Sequence, residues 1–325
     1  MTDPSLLEIR DLHLRFRLFE GVSHVLRDLT LRIAGGERVA IVGESGCGKS
    51  VLLRTILGLL DRRYSTVEGA IRFKGQELEP DTSQRRELRG RRITMIFQDP
   101  SSALNPVFTI GDQIVEVIRR HGTTSSRAEA LGLARQALQQ VAIDDPDRIL
   151  ASYPFQLSGG LNQRVVITMA LINKPDLVLA DEPGTALDVT IQEQTLRLMR
   201  KLSQESGAAV LLITHNLGVV REFADRVYVM YAGTIVEHAP TKALFSAPRH
   251  PYTRALLAAV PRLTGSRPVP IDGMIPDFTQ PPPGCRFQPR CAHAVADCLE
   301  PPPMLTVAPG HEVACVLYAG ERPRA

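Results

Sequence analysis

The chain has 325 residues, 44% of them apolar, and a formal net charge of +3. That length and apolar content suit one large or two modest globular domains, while so small and dispersed a charge gives no argument for nucleic acid as a partner. No apolar run approaches the roughly 18 to 20 residues needed to cross a bilayer. The start Met1-Thr2-Asp3-Pro4-Ser5 has neither the basic nor the apolar region of a secretory leader, so a cytosolic chain is expected, with any membrane part on another polypeptide.

In chain order, apolar alternation predicts strands at 6–14, 25–33 and 71–73, with Gly35-Gly36 and Gly75 as turn signals. They suggest a small antiparallel sheet. Between them the buried-type strand Val39-Ala40-Ile41-Val42 runs into Gly43-Glu44-Ser45-Gly46-Cys47-Gly48-Lys49-Ser50 and then a helical run from Val51. Strand, glycine loop and helix in that order form a phosphate cradle: backbone N–H groups turn inward on an anion, and the helix aims its positive end at the same point. Lys49 adds a charge for the β- and γ-phosphates, and Ser50 offers a hydroxyl to the Mg²⁺ that bridges them. Cys47 occupies a tolerant position in this loop and is read as neither ligand nor catalyst.

Gln98 follows a short strand at 93–97, and from Thr109 to about Ala142 the pattern turns helical, with Ile110, Ile114, Val117 and Ile118 on one face. Pro154 ends this section. Ser158, Gly159 and Gly160 then open a helical run that ends near Ile172, an exposed helix start able to take an anion. The strand Leu177-Val178-Leu179-Ala180 ends in the carboxylates Asp181 and Glu182. A parallel strand delivers such residues to the ligand-binding edge of its sheet. There Asp181 suits Mg²⁺ held through water, and Glu182 suits an attacking water.

The segment LSGGLNQRV resembles the signature of ABC ATPases, and other elements of that family follow in order. Gln98 resembles the Q-loop glutamine that touches Mg²⁺ and the membrane partner. Asp188 in Ala186-Leu187-Asp188 resembles the D-loop, and His215, after a strand at 210–214, the switch histidine at the γ-phosphate. Phe16 stands where the family stacks an aromatic on adenine. The resemblance implies a dimer in which Ser158, Gly159 and Gly160 serve the partner's nucleotide. Two departures are visible: Gly184 where relatives usually have threonine, and Gln156 where an acidic residue is common.

From Pro261 onward the chain changes character, with thirteen of its 24 prolines and four of its five cysteines: Cys285, Cys291, Cys298 and Cys315. Disulfides are disfavoured in a reducing cytosol, so clustered thiols point to metal. The spacing lacks the paired knuckles common in zinc sites, and four thiolates also suit a cubane [4Fe–4S] cluster. Zn²⁺, free thiols or a redox pair are the alternatives. His293 and His311 are candidate substitute ligands, with solvated surface positions as the plainer reading.

The segment 283–291 with Cys298 and His311-x-Val313-x-Cys315 resembles the C-terminal extension of oligopeptide and dipeptide importer ATPases, some of which carry a [4Fe–4S] cluster. Asp99-Pro100-Ser101-Ser102-Ala103-Leu104-Asn105-Pro106 has the form seen in peptide-type importers. The resemblance implies the D-type ATPase of such an importer at the cytoplasmic side of the membrane. Its implied partners are a distinct F-type ATPase, two transmembrane permeases that dock on the helical subdomain, and an extracytoplasmic solute-binding protein. Nickel chelates or glutathione are alternative cargoes, and a DNA-repair or translation ATPase is the non-transport alternative. The expected fold is α/β: a P-loop NTPase (RecA-like) core with an antiparallel β subdomain, a helical signature subdomain at about 99–175 and a small cysteine-bearing extension. The expected domains are 1–260 and 261–325.

Overall fold

The computed structural model describes residues 5–79, 82–122, 124–185, 189–260 and 269–320. The fold divides into two compact units.

The first unit takes the chain up to Ile33, Arg38–Leu78, and everything from Ile213 onward. It holds an antiparallel sheet ordered Gly21–Ala34, Ser5–Leu18, Ser65–Phe73, Gln76–Glu77. Leu7, Ile9, Leu12 and Leu14 are buried along Ser5–Leu18, as expected where one face of a strand meets the core. A bulge between Arg10 and His13 resets the register. The strands run beyond the stretches expected from apolar alternation, because the backbone ladder continues past the regular alternation: Phe16 still pairs with Ser65.

The same unit holds the run of strands Met304–Ala308, His311–Ala314, Thr234–Pro240, Arg226–Tyr231 and Arg38–Val42. The last two are parallel, with Val42 opposite Val229. The hairpin 304–314 belongs to the proline-rich region, and its inner strand pairs with Thr234–Pro240 through Glu237 and Val313. One core cluster takes in Val42, Val227, Val229, Tyr231, Val236, Leu244, Tyr252 and Phe287, with Cys285 and Cys291 packed against it.

The second unit comprises Ala34–Glu37 and Glu79–Leu212. Strand Ile93–Ile96 lies parallel to Leu177–Asp181, whose five residues are all buried, and Ala209–Ile213 flanks it on the other side. The helical section resolves into Ile110–His121 and Arg127–Gln140, followed by Pro146–Ala151 and Gly159–Leu171. Thr109, Ser126, Asp145 and Ser158 cap these helices by accepting backbone N–H groups. On Ile110–His121 the buried set includes Val115, while Val117 is only half-buried. That helix packs against both Arg127–Gln140 and Pro146–Ala151, so its buried stripe is rotated from the face expected of the sequence. No helix among the described residues is long and apolar enough to cross a membrane.

Candidate active site and cysteine cavity

The loop at 43–50 joins the buried strand Arg38–Val42 to helix Lys49–Leu57. Gly43 allows a close approach that no other residue permits, since a Cβ there would lie 2.1 Å from the carbonyl oxygen of Met230. The helix has Gly48 as its N-cap, no side-chain cap and no acidic residue in its first turn, which leaves its terminal N–H groups suited to an anion. Lys49 is only 5% exposed. Its ammonium donates to the carbonyls of Gly43 at 2.8 Å and Glu44 at 2.9 Å. Cys47 is fully buried beneath the loop, where burial pushes its thiol up. Ser45 and Gly46 are exposed and Ser50 half-buried.

Two contacts to Glu44 had no signal in the sequence. Its backbone N–H donates to the Tyr252 hydroxyl at 2.9 Å, and its carboxylate accepts from Arg290 at 3.1 Å to each oxygen.

In the same unit, His215 is exposed between Thr214, whose hydroxyl accepts the Asn216 N–H at 3.0 Å, and Asn216, which caps helix Leu217–Phe223. Phe16 is half-buried on its strand. In the second unit, Asp181 ends its strand at 6% exposure. Glu182 follows with φ 44°, a left-handed conformation that costs a glutamate roughly 1 kcal/mol or more and persists only when neighbours hold it. Thr185 is one such neighbour: its N–H and hydroxyl donate to the Glu182 carbonyl at 3.2 and 3.1 Å.

The Glu182 carboxylate accepts from Gln98 Nε2 at 3.3 Å. Two residues read separately from the sequence, 84 positions apart, are thus in contact. Ser158 accepts the Leu161 N–H at 3.4 Å as helix cap, with Gly159 and Gly160 forming the first turn. Gln156 closes the preceding turn by accepting the Tyr153 N–H at 2.8 Å, using an amide oxygen where a carboxylate oxygen would also serve. Gly184 has φ 91°. Asp188 lies outside the described residues.

All four extension cysteines line one small cavity of about 10 Å³, together with His250, Phe287, Gln288 and His293. No carboxylate lines it. The cavity has room for about one water. Burial pushes the Cys285 thiol up to about 11, and the sulfurs of Cys298, Cys315 and Cys291 push in the same direction. Burial also raises Cys291 and Cys315. The Cys285 N–H donates to the Cys298 carbonyl at 2.9 Å, tying two of the four together through the backbone. Among the described residues, no group of three or more His, Cys, Asp or Glu is arranged to hold a metal ion.

His311 differs from both readings given to it. It is 3% exposed and sits outside the cysteine cavity, with Nε2 at 2.7 Å from Glu237 Oε1. Glu237 also accepts the N–H groups of Arg249 and His250 at 2.7 and 2.8 Å. Burial alone would raise the Glu237 carboxyl, but the hydrogen bonds from His311 and those two N–H groups, with the nearby Thr253 hydroxyl, outweigh it and hold the group below its ordinary range. His311 strands face inward onto a buried acceptor, which accounts for the difference.

Residues 26–185 match the family model described as ABC transporter, and residues 236–298 the one described as oligopeptide/dipeptide transporter, C-terminal region. The chain is 50% identical over 316 residues to the probable peptide ABC transporter ATP-binding protein y4tR of Sinorhizobium fredii, covering 95% of this chain and 94% of that one. It is 46% identical over 320 residues to the dipeptide transport ATP-binding protein DppD of Bacillus subtilis, covering 96% and 94%. Among solved structures it resembles the dimeric ATP-binding cassette MJ0796 in a post-hydrolysis state with ADP and phosphate. That match has a TM-score of 0.64 at 29% identity and covers 72% of this chain and 98% of that one.

Proposed function

Because the chain belongs to the ABC transporter family, in its oligopeptide and dipeptide branch, and is the ATP-hydrolysing subunit of a peptide importer, we propose specific roles for its side chains. The backbone of Gly43, Ser45, Gly46 and Gly48 and the ammonium of Lys49 take the phosphates, and Phe16 stacks on adenine. Ser50, Gln98 and Asp181 hold Mg²⁺, which when bound neutralises phosphate charge. Glu182 orients and polarises the attacking water, and His215 contacts the γ-phosphate. Ser158, Gly159 and Gly160, with Asp188, act toward the nucleotide of a second ATPase subunit. Phosphoryl transfer asks for in-line positioning and charge stabilisation more than covalent chemistry, so these polar groups suffice.

The observation that carries the reading is the phosphate loop, where a buried ammonium is already held on the loop's own carbonyls beside an uncapped helix start. Glu182→Gln is expected to bind ATP about as well as wild type and to hydrolyse it at least ~100-fold more slowly in the assembled transporter. A wild-type rate would remove Glu182 from the mechanism. Deleting the chain is expected to abolish peptide uptake where no redundant importer operates.

The same reading assigns a distinct F-type ATPase, two permeases and an extracytoplasmic solute-binding protein as partners, with the chain peripheral on the cytoplasmic side. Residues 1–260 form the ATPase domain and 261–325 the extension. Cys285, Cys291, Cys298 and Cys315 hold a [4Fe–4S] cluster, which when bound ties the extension together through four iron–thiolate bonds. That all four cysteines are among the residues lining one cavity without a carboxylate supports this. A cubane takes one thiolate per iron, so it does not require three ligands to converge on one ion as Zn²⁺ does. Anaerobic purification is expected to give about four irons and four sulfides per chain, and stoichiometric zinc would replace the cluster.

A further inference from the structure

The segment between Cys285 and Cys291 is turned inward, toward the phosphate loop and the strands beside it. Arg286 donates to the carbonyls of Ala232 and His24. Phe287 packs its ring against Tyr231 and Tyr252 at centroid distances of 5.1 and 5.3 Å. Arg290, adjacent in sequence to Cys291, donates to both oxygens of Glu44, to the Tyr231 hydroxyl at 3.2 Å, and to the carbonyls of Asp272 and Ile271 at 2.7 and 3.1 Å. Its side chain is 6% exposed, and that of Glu44 27%. The Glu44 backbone is held as well, through its N–H to Tyr252, and its carbonyl accepts the Lys49 ammonium.

We propose that Arg290 is a positioning residue for the phosphate loop, through which the cysteine-bearing extension sets the loop's affinity for nucleotide. Glu44 places a carboxylate within the loop that binds a polyanion, where its charge opposes binding. Arg290 cancels that charge, and by gripping two backbone carbonyls of the extension as well it fixes where the cancelling charge sits. A guanidinium suits this task because its planar fork serves a carboxylate and carbonyls together. The extension thus completes the electrostatics of the loop although the two are 246 positions apart in sequence. The inference rests on the reading of this loop as an ATP site.

The test is a double-mutant cycle in the full chain within the assembled transporter, measured as nucleotide Kd and as the separate KM and kcat of ATP hydrolysis. Arg290→Ala is expected to raise Kd and KM about tenfold, equivalent to ~1.4 kcal/mol, with kcat changed by less than about twofold. Glu44→Gln is expected to bind ATP a few-fold more tightly than wild type, because the Arg290 charge is then unopposed. Adding Glu44→Gln to Arg290→Ala is expected to restore affinity to near wild type. The tenfold gap should shrink with rising salt.

An Arg290→Ala chain with unchanged Kd, or a loss that Glu44→Gln does not relieve, would overturn the inference. If Arg290→Ala does not fold, Arg290→Lys, which keeps the charge but loses the planar fork, is expected to raise Kd by about threefold, less than full removal of the charge would, and Glu44→Gln leaves the extension intact. Weaker binding in Glu44→Gln would count against the proposal. A wild-type chain that binds no ATP would sink the reading of the loop itself, whereas wild-type binding with an indifferent Arg290→Ala sinks the coupling alone.

Discussion

Phe287→Ala tests how firmly the extension is anchored. The ring is 3% exposed and lies among Tyr231, Tyr252 and His250 at centroid distances of 5.1, 5.3 and 5.9 Å, edge-on or tilted to each. Truncating a buried Phe to Ala costs about 3–5 kcal/mol through lost transfer energy and a residual cavity. Each aromatic neighbour adds roughly 0.5–1.5 kcal/mol beyond area burial. Three such neighbours place the expected cost in the upper half of that range, about 4–5 kcal/mol, a large share of a typical domain's stability of ~5–15 kcal/mol.

Phe287→Leu keeps most of the volume and loses only the ring contacts, so about 1.5 kcal/mol is expected. The chain contains no tryptophan, so urea unfolding is best followed by far-ultraviolet circular dichroism, with thiol labelling of Cys285 as a local probe. The expected order of midpoints is wild type, Leu, Ala, with faster labelling in the Ala variant. An Ala variant within 1 kcal/mol of wild type at an unchanged denaturant slope would refute the claim that this ring plugs the extension into the core.

Gly43→Ala puts a methyl at 2.1 Å from the Met230 carbonyl oxygen, so the loop must shift, and a loss of nucleotide affinity of roughly tenfold or more is expected by titration. Glu237→Gln should cost roughly 3 kcal/mol near pH 7 by breaking the buried pair with His311. Because the folded-state carboxyl is held below its ordinary 4.5, its contribution is fully present above that value and is lost as pH falls through the lower folded one. The gap between wild type and variant should therefore narrow below pH 4.5, and a gap independent of pH down to acid unfolding would contradict the assignment. Gly184→Thr restores the residue usual in relatives but must adopt φ 91°; about 1–2 kcal/mol of strain is expected, read as a lower melting temperature, and a rise would show that the loop rearranges without cost.

The parts of the site that were legible in the sequence are those in which a short contiguous run fixes its own geometry. A strand entering glycines and leaving as a helix dictates the loop at 43–50, and a serine before Gly159 dictates the cap of the next helix. The contact of Gln98 with Glu182 was not legible, because spacing along two separate strands does not specify which side chains meet. Nor was Arg290, whose neighbours in sequence are a proline and a cysteine and whose partner depends on how the extension folds back. His311 misled for the same reason: a histidine four residues before Cys315 looks like a ligand until the burial of Glu237 gives it a nearer partner. Strand lengths are not legible from alternation alone, because backbone ladders persist where the apolar alternation is broken, as where Phe16 pairs with Ser65.

The hairpin at 304–314 also has a bearing on solubility. Thr234–Pro240 carries buried Ile235, Val236, Glu237 and Ala239, and its outward main-chain groups are paired by His311–Ala314. Cut away, the hairpin would leave those amides and carbonyls open along an apolar strand, the kind of template on which a neighbouring chain adds a strand of its own. In its place the intact protein presents Met304–Ala308, short and bearing exposed Met304 and Thr306, as its outermost rung. A shortened chain lacking this tail is thus apt to self-associate before its catalysis can be assayed, and fragments cut after residue 303 are poor surrogates for the whole.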